Sequence, residues 1–462
     1  MKVKWFFPFA LLIFISLLGV IVPAAKSTVT AGPINSGDVA WMLTATGLVL
    51  LMTPGLSFFY GGMVRTKNVI STMLQSFIAL GVISILWVVV GFSLAFGESL
   101  GGEGWGLLGN PLTYFMFSRV GSATHPGLAP TIPLMLFALF QLKFAIITPA
   151  LITGSFAERV RFSAYLLFIC LFSIFIYSPI AHWTWHPNGF LRQWGVLDYA
   201  GGTVVHMSAG FAALAGALVL GRRKDYSREP HAPANIPFVI LGTGMLWFGW
   251  FGFNAGSALA ASEAAVSAFL TTNTASASAM LAWILFDAIR GRKPSALGAC
   301  IGAVVGLVAI TPAAGYVDVG ASIFIGAIAS LISNYAVHLK TKSTLDDTLD
   351  VFPCHGVGGT VGMIMTGIFA QGVGLVHGDP KVFLYHLLTI GIVGAYSFFG
   401  AFLLYKLTDK IIPLRVYPQH EEIGLDISQH GETMNGENPN GNGKLASTPA
   451  KPQAHTFAED TY

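Results

Sequence analysis

Residues 69–96, VISTMLQSFIALGVISILWVVVGFSLAF, run for 28 positions without a charged side chain. A helix rises about 1.5 Å per residue, and roughly 20 apolar residues cross the hydrocarbon core of a bilayer. The stretch is long enough to span a membrane, and it lacks the two-residue alternation of a half-buried strand. Similar runs recur at 39–62, 131–157, 162–182, 199–220, 235–259, 264–289, 296–311, 319–338, 352–371 and 383–407, divided by short polar loops. Together they predict an all-α polytopic membrane protein with about eleven transmembrane helices.

Composition agrees. The 462 residues are 54% hydrophobic and 10% charged, which excludes an ordinary soluble domain. The 53 glycines are spread through the apolar runs, as expected where helices approach closely without a hydrophobic force between them. A formal net charge of only +3, with the charges confined almost entirely to loops, argues against nucleic-acid binding. Cys170, Cys300 and Cys354 all fall in apolar runs, and no Cys–His cluster has metal-ligand spacing; they read as packing residues.

The N-terminus has a basic start at Lys2 and Lys4, an apolar stretch from Trp5 to Val22 and small residues before Ser27. These are the three parts of a secretory signal peptide, assigned to residues 1–27, with a retained first span as the alternative. The transmembrane domain then covers 28–410, a cytoplasmic segment 411–432, and an Asn-, Gly- and Pro-rich tail 433–462 that cannot bury enough apolar surface to fold. Alternate loops are rich in cations: Arg65 and Lys67, Arg159 and Arg161, Arg222 to Arg228, Arg290 to Lys293, and Lys340 with Lys342. By the positive-inside rule these are cytoplasmic, which places the N-terminus outside and the C-terminus inside an inner membrane. The opposite loops carry only Arg119, Arg192 and Lys381.

A faint repeat relates the two halves. Asp198 to His206 (DYAGGTVVH) finds an echo in Asp350 to His355 (DVFPCH), and Gly55 to Gly62 (GLSFFYGG) in Gly249 to Gly256 (GWFGFNAG). Five spans separate the members of each pair. The odd offset inverts the second half, so helices 1–5 and 6–10 form inverted repeats around a central pore.

Ionisable groups within spans cost roughly 2.5–3.5 kcal/mol on insertion scales, so His206 and His355 need a partner or a purpose. Equivalent places in the two halves let them meet on the axis as pore-lining rings. A pair of backbone-satisfied core histidines and a pair of haem ligands are the rival readings. Asp198 lies eight residues before His206, as a helix cap near the outer mouth that adds a negative field; Asp350 is taken as its inner counterpart. Trp183, Trp185 and Trp194 read as an interfacial belt from which one ring could receive a cation. Phe140 and Phe144, and likewise Phe253 and Ser257, stand at i and i+4 on two faces that could converge. Phenyl faces attract a cation, and the Ser257 hydroxyl can accept a hydrogen bond from an N–H donor, which suits ammonium better than a hard metal ion. Taken alone, such aromatics are usually core packing.

Over nearly the whole mature chain the sequence resembles the ammonium transporter family, the Amt/Mep/Rh group. The resemblance is carried by FQLKFAIIT (140–148), AER (157–159), AHWTW (181–185), 198–206, WFGFNAGS (250–257), 350–355 and GLDISQHG (424–431). It implies a homotrimer with one pore per subunit that conducts ammonium or ammonia, without a bound cofactor and without enzymatic turnover. Trp185 and Ser257 match the outer recruitment site, Phe144 and Phe253 the stacked gate with Phe140 beside it, and His206 and His355 the paired pore histidines. Asp198 matches the acid beside the outer site. The Gly424–Gly431 segment resembles a tail that couples subunits, on a face where many bacterial members bind a PII-type regulatory protein. Lys143 departs from expectation, because it stands charged between Phe140 and Phe144 and must either snorkel or face a neighbouring subunit. An ammonium sensor and an Rh-like channel for ammonia or carbon dioxide are the alternative functions.

Overall fold

The computed structural model describes residues 2–22, 25, 27, 30–101, 105–226, 231–378 and 380–434. Among them there is no β-strand, only three isolated bridges. Helix α1 is Lys2–Ile21, and the bundle follows: α2 Ser36–Met63; α3 Val69–Leu86; α4 Leu134–Ile152; α5 Phe162–Phe172; α6 Ser208–Leu220; α7 Ile236–Gly256; α8 Glu263–Ile289; α9 Ala296–Ile310; α10 Val319–Thr341; α11 Gly358–Phe369; α12 Pro380–Ile411. These eleven bundle helices match the eleven apolar runs of the sequence. Of the proposed leader, Met1, Pro23, Ala24 and Lys26 lie outside the described residues, as does the tail from 435 onward.

Four wide π-helical turns interrupt this regularity. Trp87–Gly91 extends α3 into Phe92–Phe96, and Ser173–Tyr177 extends α5 into Ser178–Trp185; Gly202–Met207 opens α6, and Phe352–Val357 opens α11. A π turn inserts a residue into the helical register and re-aims the side chains it carries. Helix α9 has only 15 residues, short for a bilayer crossing. It packs on protein rather than lipid, with Val304 to Ile310 buried, so lipid thickness does not dictate its length.

The halves cross as the repeat predicts. Helices α2 and α7 run antiparallel: a Cβ on Gly62 would lie 2.6 Å from the carbonyl oxygen of Asn235, and one on Gly252 would lie 2.7 Å from that of Ala45. Helices α6 and α11 approach as closely, where a Cβ on Gly210 would stand 2.1 Å from the backbone nitrogen of Gly356. Only glycine permits such backbone contact, and in lipid this contact supplies the packing that a hydrophobic force cannot.

Asp198 caps the turn that opens α6: its carboxylate accepts from the backbone N–H groups of Gly201, Gly202 and Thr203 at 2.7–2.8 Å and from the Thr203 hydroxyl. The counterpart in the second half is Asp347, not Asp350. Asp347 accepts from the N–H of Val351 at 3.1 Å and of Phe352 at 2.7 Å, and it is fully buried. It precedes His355 by eight residues, the same interval as Asp198 to His206, whereas Asp350 precedes His355 by five and pairs with Lys340 at 2.6 Å.

The face rich in Arg and Lys is tied together by buried ion pairs. Glu158 contacts Arg65 at 3.1 Å and Arg223 at 2.9 Å, and Arg223 also holds Asp346 at 2.9 Å. The fully buried guanidinium of Arg159 donates to the Thr348 hydroxyl at 2.7 Å and the Asp346 carbonyl at 2.6 Å. Burial alone would raise the Glu158 carboxyl, but Arg223, His231 and Arg65 outweigh it and hold it at about 2. Its contribution is therefore complete above the ordinary value of 4.5 and is lost as pH falls toward 2. Glu158→Ala leaves two cations short of a partner in a dry site and is expected to cost about 3–5 kcal/mol, read as a lower unfolding temperature in detergent.

The C-terminal segment docks on this face of its own chain. Asp426 accepts from the N–H of Ser71 at 2.7 Å and of Ile70 at 3.1 Å, capping α3, while Leu425 N–H donates to Asn68 Oδ1 at 2.8 Å. Glu421 pairs with Arg415 at 2.8 Å and accepts from Lys224 N–H at 2.6 Å. Gly424 has φ +106°, and a Cβ there would meet the carbonyl of Lys67 at 2.5 Å. The segment that resembles a coupling tail thus grips its own helix ends.

Candidate functional site: a vestibule above a dry, histidine-lined pore

On the face opposite these cations opens a cavity of about 530 Å³, lined by Gln141, Phe144, Trp185, Asp198, Tyr199, Ser257 and Tyr316 among others. Trp185 ends the helix that follows the π turn of α5, and its indole N–H donates to the carbonyl of Asp198 at 3.1 Å. Ser257 caps α7 and donates its hydroxyl to the Phe253 carbonyl at 2.8 Å, which leaves the oxygen lone pairs to accept from a guest. Of the three tryptophans, only Trp185 lines the vestibule. Trp183 is buried and donates to the Leu107 carbonyl at 2.6 Å, and Trp194 stacks on Tyr385 at 5.6 Å.

Below the vestibule the rings form a column. Phe144 lies edge-on to Trp185 at 5.7 Å between centroids and stacks at a tilt on Phe253 at 4.2 Å. Phe140 closes its side at 4.9 Å, pinned by Gly256, where a Cβ would come within 2.8 Å of the phenyl ring. Phe253 is followed by His206 at 6.2 Å, and His206 by His355 at 5.4 Å. The faces of α4 and α7 expected to converge therefore do so.

The two imidazoles meet through their Nδ1 atoms at 3.3 Å. One Nδ1 must donate and the other accept, so one ring presents an acceptor Nε2 and the other an Nε2–H donor. Both residues are at least 97% buried, and among the described residues His206 Nε2 has no hydrogen-bond partner. Trp250 stacks on His206 at 5.4 Å and is fixed by its indole N–H to the Thr311 hydroxyl at 2.9 Å. The space beside the rings is two small chambers of about 10 Å³ each. One is walled by apolar groups such as Leu56, Val205 and Val304, and the other lies beyond it against Phe59, Met63 and Cys354. Each holds about one small molecule, and neither has room for a porphyrin, so the haem reading fails on space. The reading as backbone-satisfied core histidines fails on partners, since each ring bonds the other.

Lys143 is half-buried and lines neither vestibule nor chambers, which removes the conflict its charge posed. Sequence reasoning missed Gln141, Trp250 and His386. His386 is fully buried, accepts from Leu197 N–H at 3.0 Å and donates to the Met363 carbonyl at 2.9 Å, holding the strand of chain that leads into Asp198. No local spacing announces such a role.

Comparison with known proteins agrees with this architecture. The sequence profile of the Ammonium Transporter Family matches residues 40–435. The chain is 46% identical over 409 residues to an ammonium transporter of Aquifex aeolicus, covering 86% of this chain and 93% of that one. The crystal structure of Candida albicans Mep2 superposes with a TM-score of 0.78 at 37% identity, covering 84% of this chain and 88% of that one. A solved structure described as a sensor Amt protein superposes equally well, with a TM-score of 0.78 at 29% identity, covering 85% of this chain and 98% of that one. The chain belongs to the ammonium transporter family.

Proposed function

We propose that the protein takes ammonium from the vestibule and passes it as ammonia through the histidine-lined pore. The observation that carries this reading is the unbroken ring column from Trp185 through Phe144 and Phe253 to His206 and His355, which ends in apolar space about one molecule wide. Ammonium is recruited by the Trp185 face and the Ser257 oxygen and loses its water shell there. Phe144 and Phe253 close the path below, and the ion gives up a proton to vestibule water before it passes them. Phe140 braces the gate.

Neutral ammonia enters the lumen at little cost, while a bare cation in so dry a path loses several kcal/mol of hydration. Potassium cannot shed its charge and is rejected. Inside, the donor and acceptor Nε2 ends of the histidine pair replace hydrogen bonds that ammonia had with water. Asp198 acts through architecture, because its carboxylate is occupied by the turn it caps and its carbonyl orients Trp185. The basic face is cytoplasmic by the positive-inside rule, with the vestibule outside the inner membrane, residues 1–27 a cleaved leader and the assembly a homotrimer. The docked C-terminal segment is the surface to test for a PII-type partner.

The test is a current measured on a solid-supported membrane from purified protein in liposomes, after ammonium and potassium pulses. A rise of internal pH with ammonium and not with potassium is expected, with a transient current for ammonium alone only where the proton is relayed across rather than left in the vestibule water. Equal currents with both ions would sink deprotonation as the basis of selectivity. Silence with both, joined to an unchanged internal pH, would favour a sensor.

A further inference from the structure

One charged side chain in the vestibule has no part in the account above. Arg192 sits on the short helix Phe190–Gln193, lines the same cavity as Trp185 and Ser257, and donates through Nη1 to the Trp185 carbonyl at 2.6 Å. Trp185 is therefore held from two sides, its indole by the Asp198 carbonyl and its own carbonyl by Arg192.

Arg192 and Asp198 are the only formally charged residues among those lining the cavity, so its formal charge is zero. The two are not equivalent to an entering ion. Asp198 is 6% exposed and its carboxylate already accepts four hydrogen bonds, three of them from backbone N–H groups. Arg192 is exposed, and its charge faces the water through which a cation arrives. It also stands on the face where cations are few.

We infer that Arg192 sets the affinity of the vestibule: its charge raises the ammonium concentration needed for half-saturation, while its hydrogen bond keeps Trp185 in place. This inference rests on the vestibule as the recruitment site. A like charge at the rim of a solvated cavity changes the local cation concentration by about two- to tenfold at low salt, and the effect fades as the Debye length contracts. It leaves the steps below the gate untouched.

The experiment compares wild type, Arg192→Gln and Arg192→Lys, all full-length in liposomes, by the half-saturating ammonium concentration and the maximal flux at about 10 mM and about 0.5 M inert salt. Gln retains an N–H donor for the Trp185 carbonyl without the charge; Lys retains the charge. Arg192→Gln is expected to lower half-saturation two- to tenfold at low salt with maximal flux unchanged, the difference vanishing at high salt, and Arg192→Lys to behave as wild type. An Arg192→Gln value equal to wild type at low salt overturns the inference, as does a shift that salt does not alter, which would mark a purely structural effect through Trp185. Trp185→Leu in the same assay reads the underlying assignment separately: an unchanged half-saturation there would remove Trp185 from recruitment, whatever the arginine variants show.

Discussion

The double variant His206→Leu with His355→Leu is expected to lose ammonium flux by about ten- to a hundredfold while still folding. Leucine is close to imidazole in size, so the chambers beside the rings stay narrow and dry. What disappears is the polar Nε2 end of each ring, and with it the hydrogen bonds that compensate ammonia for leaving water. A net hydrogen bond is worth about 0.5–1.5 kcal/mol, and each 1.4 kcal/mol on the barrier is about tenfold in rate, so two lost contacts account for the predicted range. The measurement is initial flux in liposomes beside thermal unfolding in detergent. Wild-type flux from the double variant would show that the lumen needs only dryness and would exclude the rings from conduction. The single variant His355→Leu should be less stable than the double, because it strands the buried Nδ1 of His206, whose partner is His355.

The second large effect comes from a residue with no side chain. Gly210→Ala places a methyl group 2.1 Å from the backbone nitrogen of Gly356, the residue that follows His355 in the π turn of α11. Backbone cannot rotate out of the way as a flexible side chain can, so α6 and α11 must separate, and His206 and His355 with them. Overpacking of this kind commonly costs about 1–3 kcal/mol and more where only backbone can yield. A fall in unfolding temperature together with a loss of flux is expected. Gly244→Ala is the control: it lies in α7 with nothing within 4 Å of the added carbon, and it should leave both unchanged or raise stability slightly. Equal behaviour of the two variants would mean that the α6–α11 contact is looser than its geometry.

The bundle was legible because lipid leaves few choices. Apolar runs of membrane length, and cations sorted to alternate loops, announce themselves residue by residue; the i, i+4 spacing on α4 and α7 offered two faces able to meet, and the place of Trp185 above them came only from the resemblance. The wide turns were not legible. Gly202–Met207 reads as ordinary helix, and its extra residue per turn is set by the Asp198 cap and by the neighbours it packs against. The inner acid was misassigned for a related reason: Asp350 lies in the more obvious string, but capping depends on the distance along the chain to the turn, and the eight-residue interval to His355 points to Asp347. Arg192 and His386 act through hydrogen bonds to backbone atoms of distant segments, Trp185 and Leu197, and one chain in isolation carries no pattern for that.

The Nδ1-to-Nδ1 contact between His206 and His355 has a further consequence. Either ring can be the one that lends its proton, and the two arrangements exchange which end of the pore offers a donor and which an acceptor. Because the rings come from inverted halves, the two arrangements are related by the pseudosymmetry of the fold. The donor and acceptor order of the histidine pair therefore has no fixed direction of its own. In the conduction proposed above, the pair sets no sense of travel, and flux measured in liposomes should reverse when the ammonium gradient is reversed.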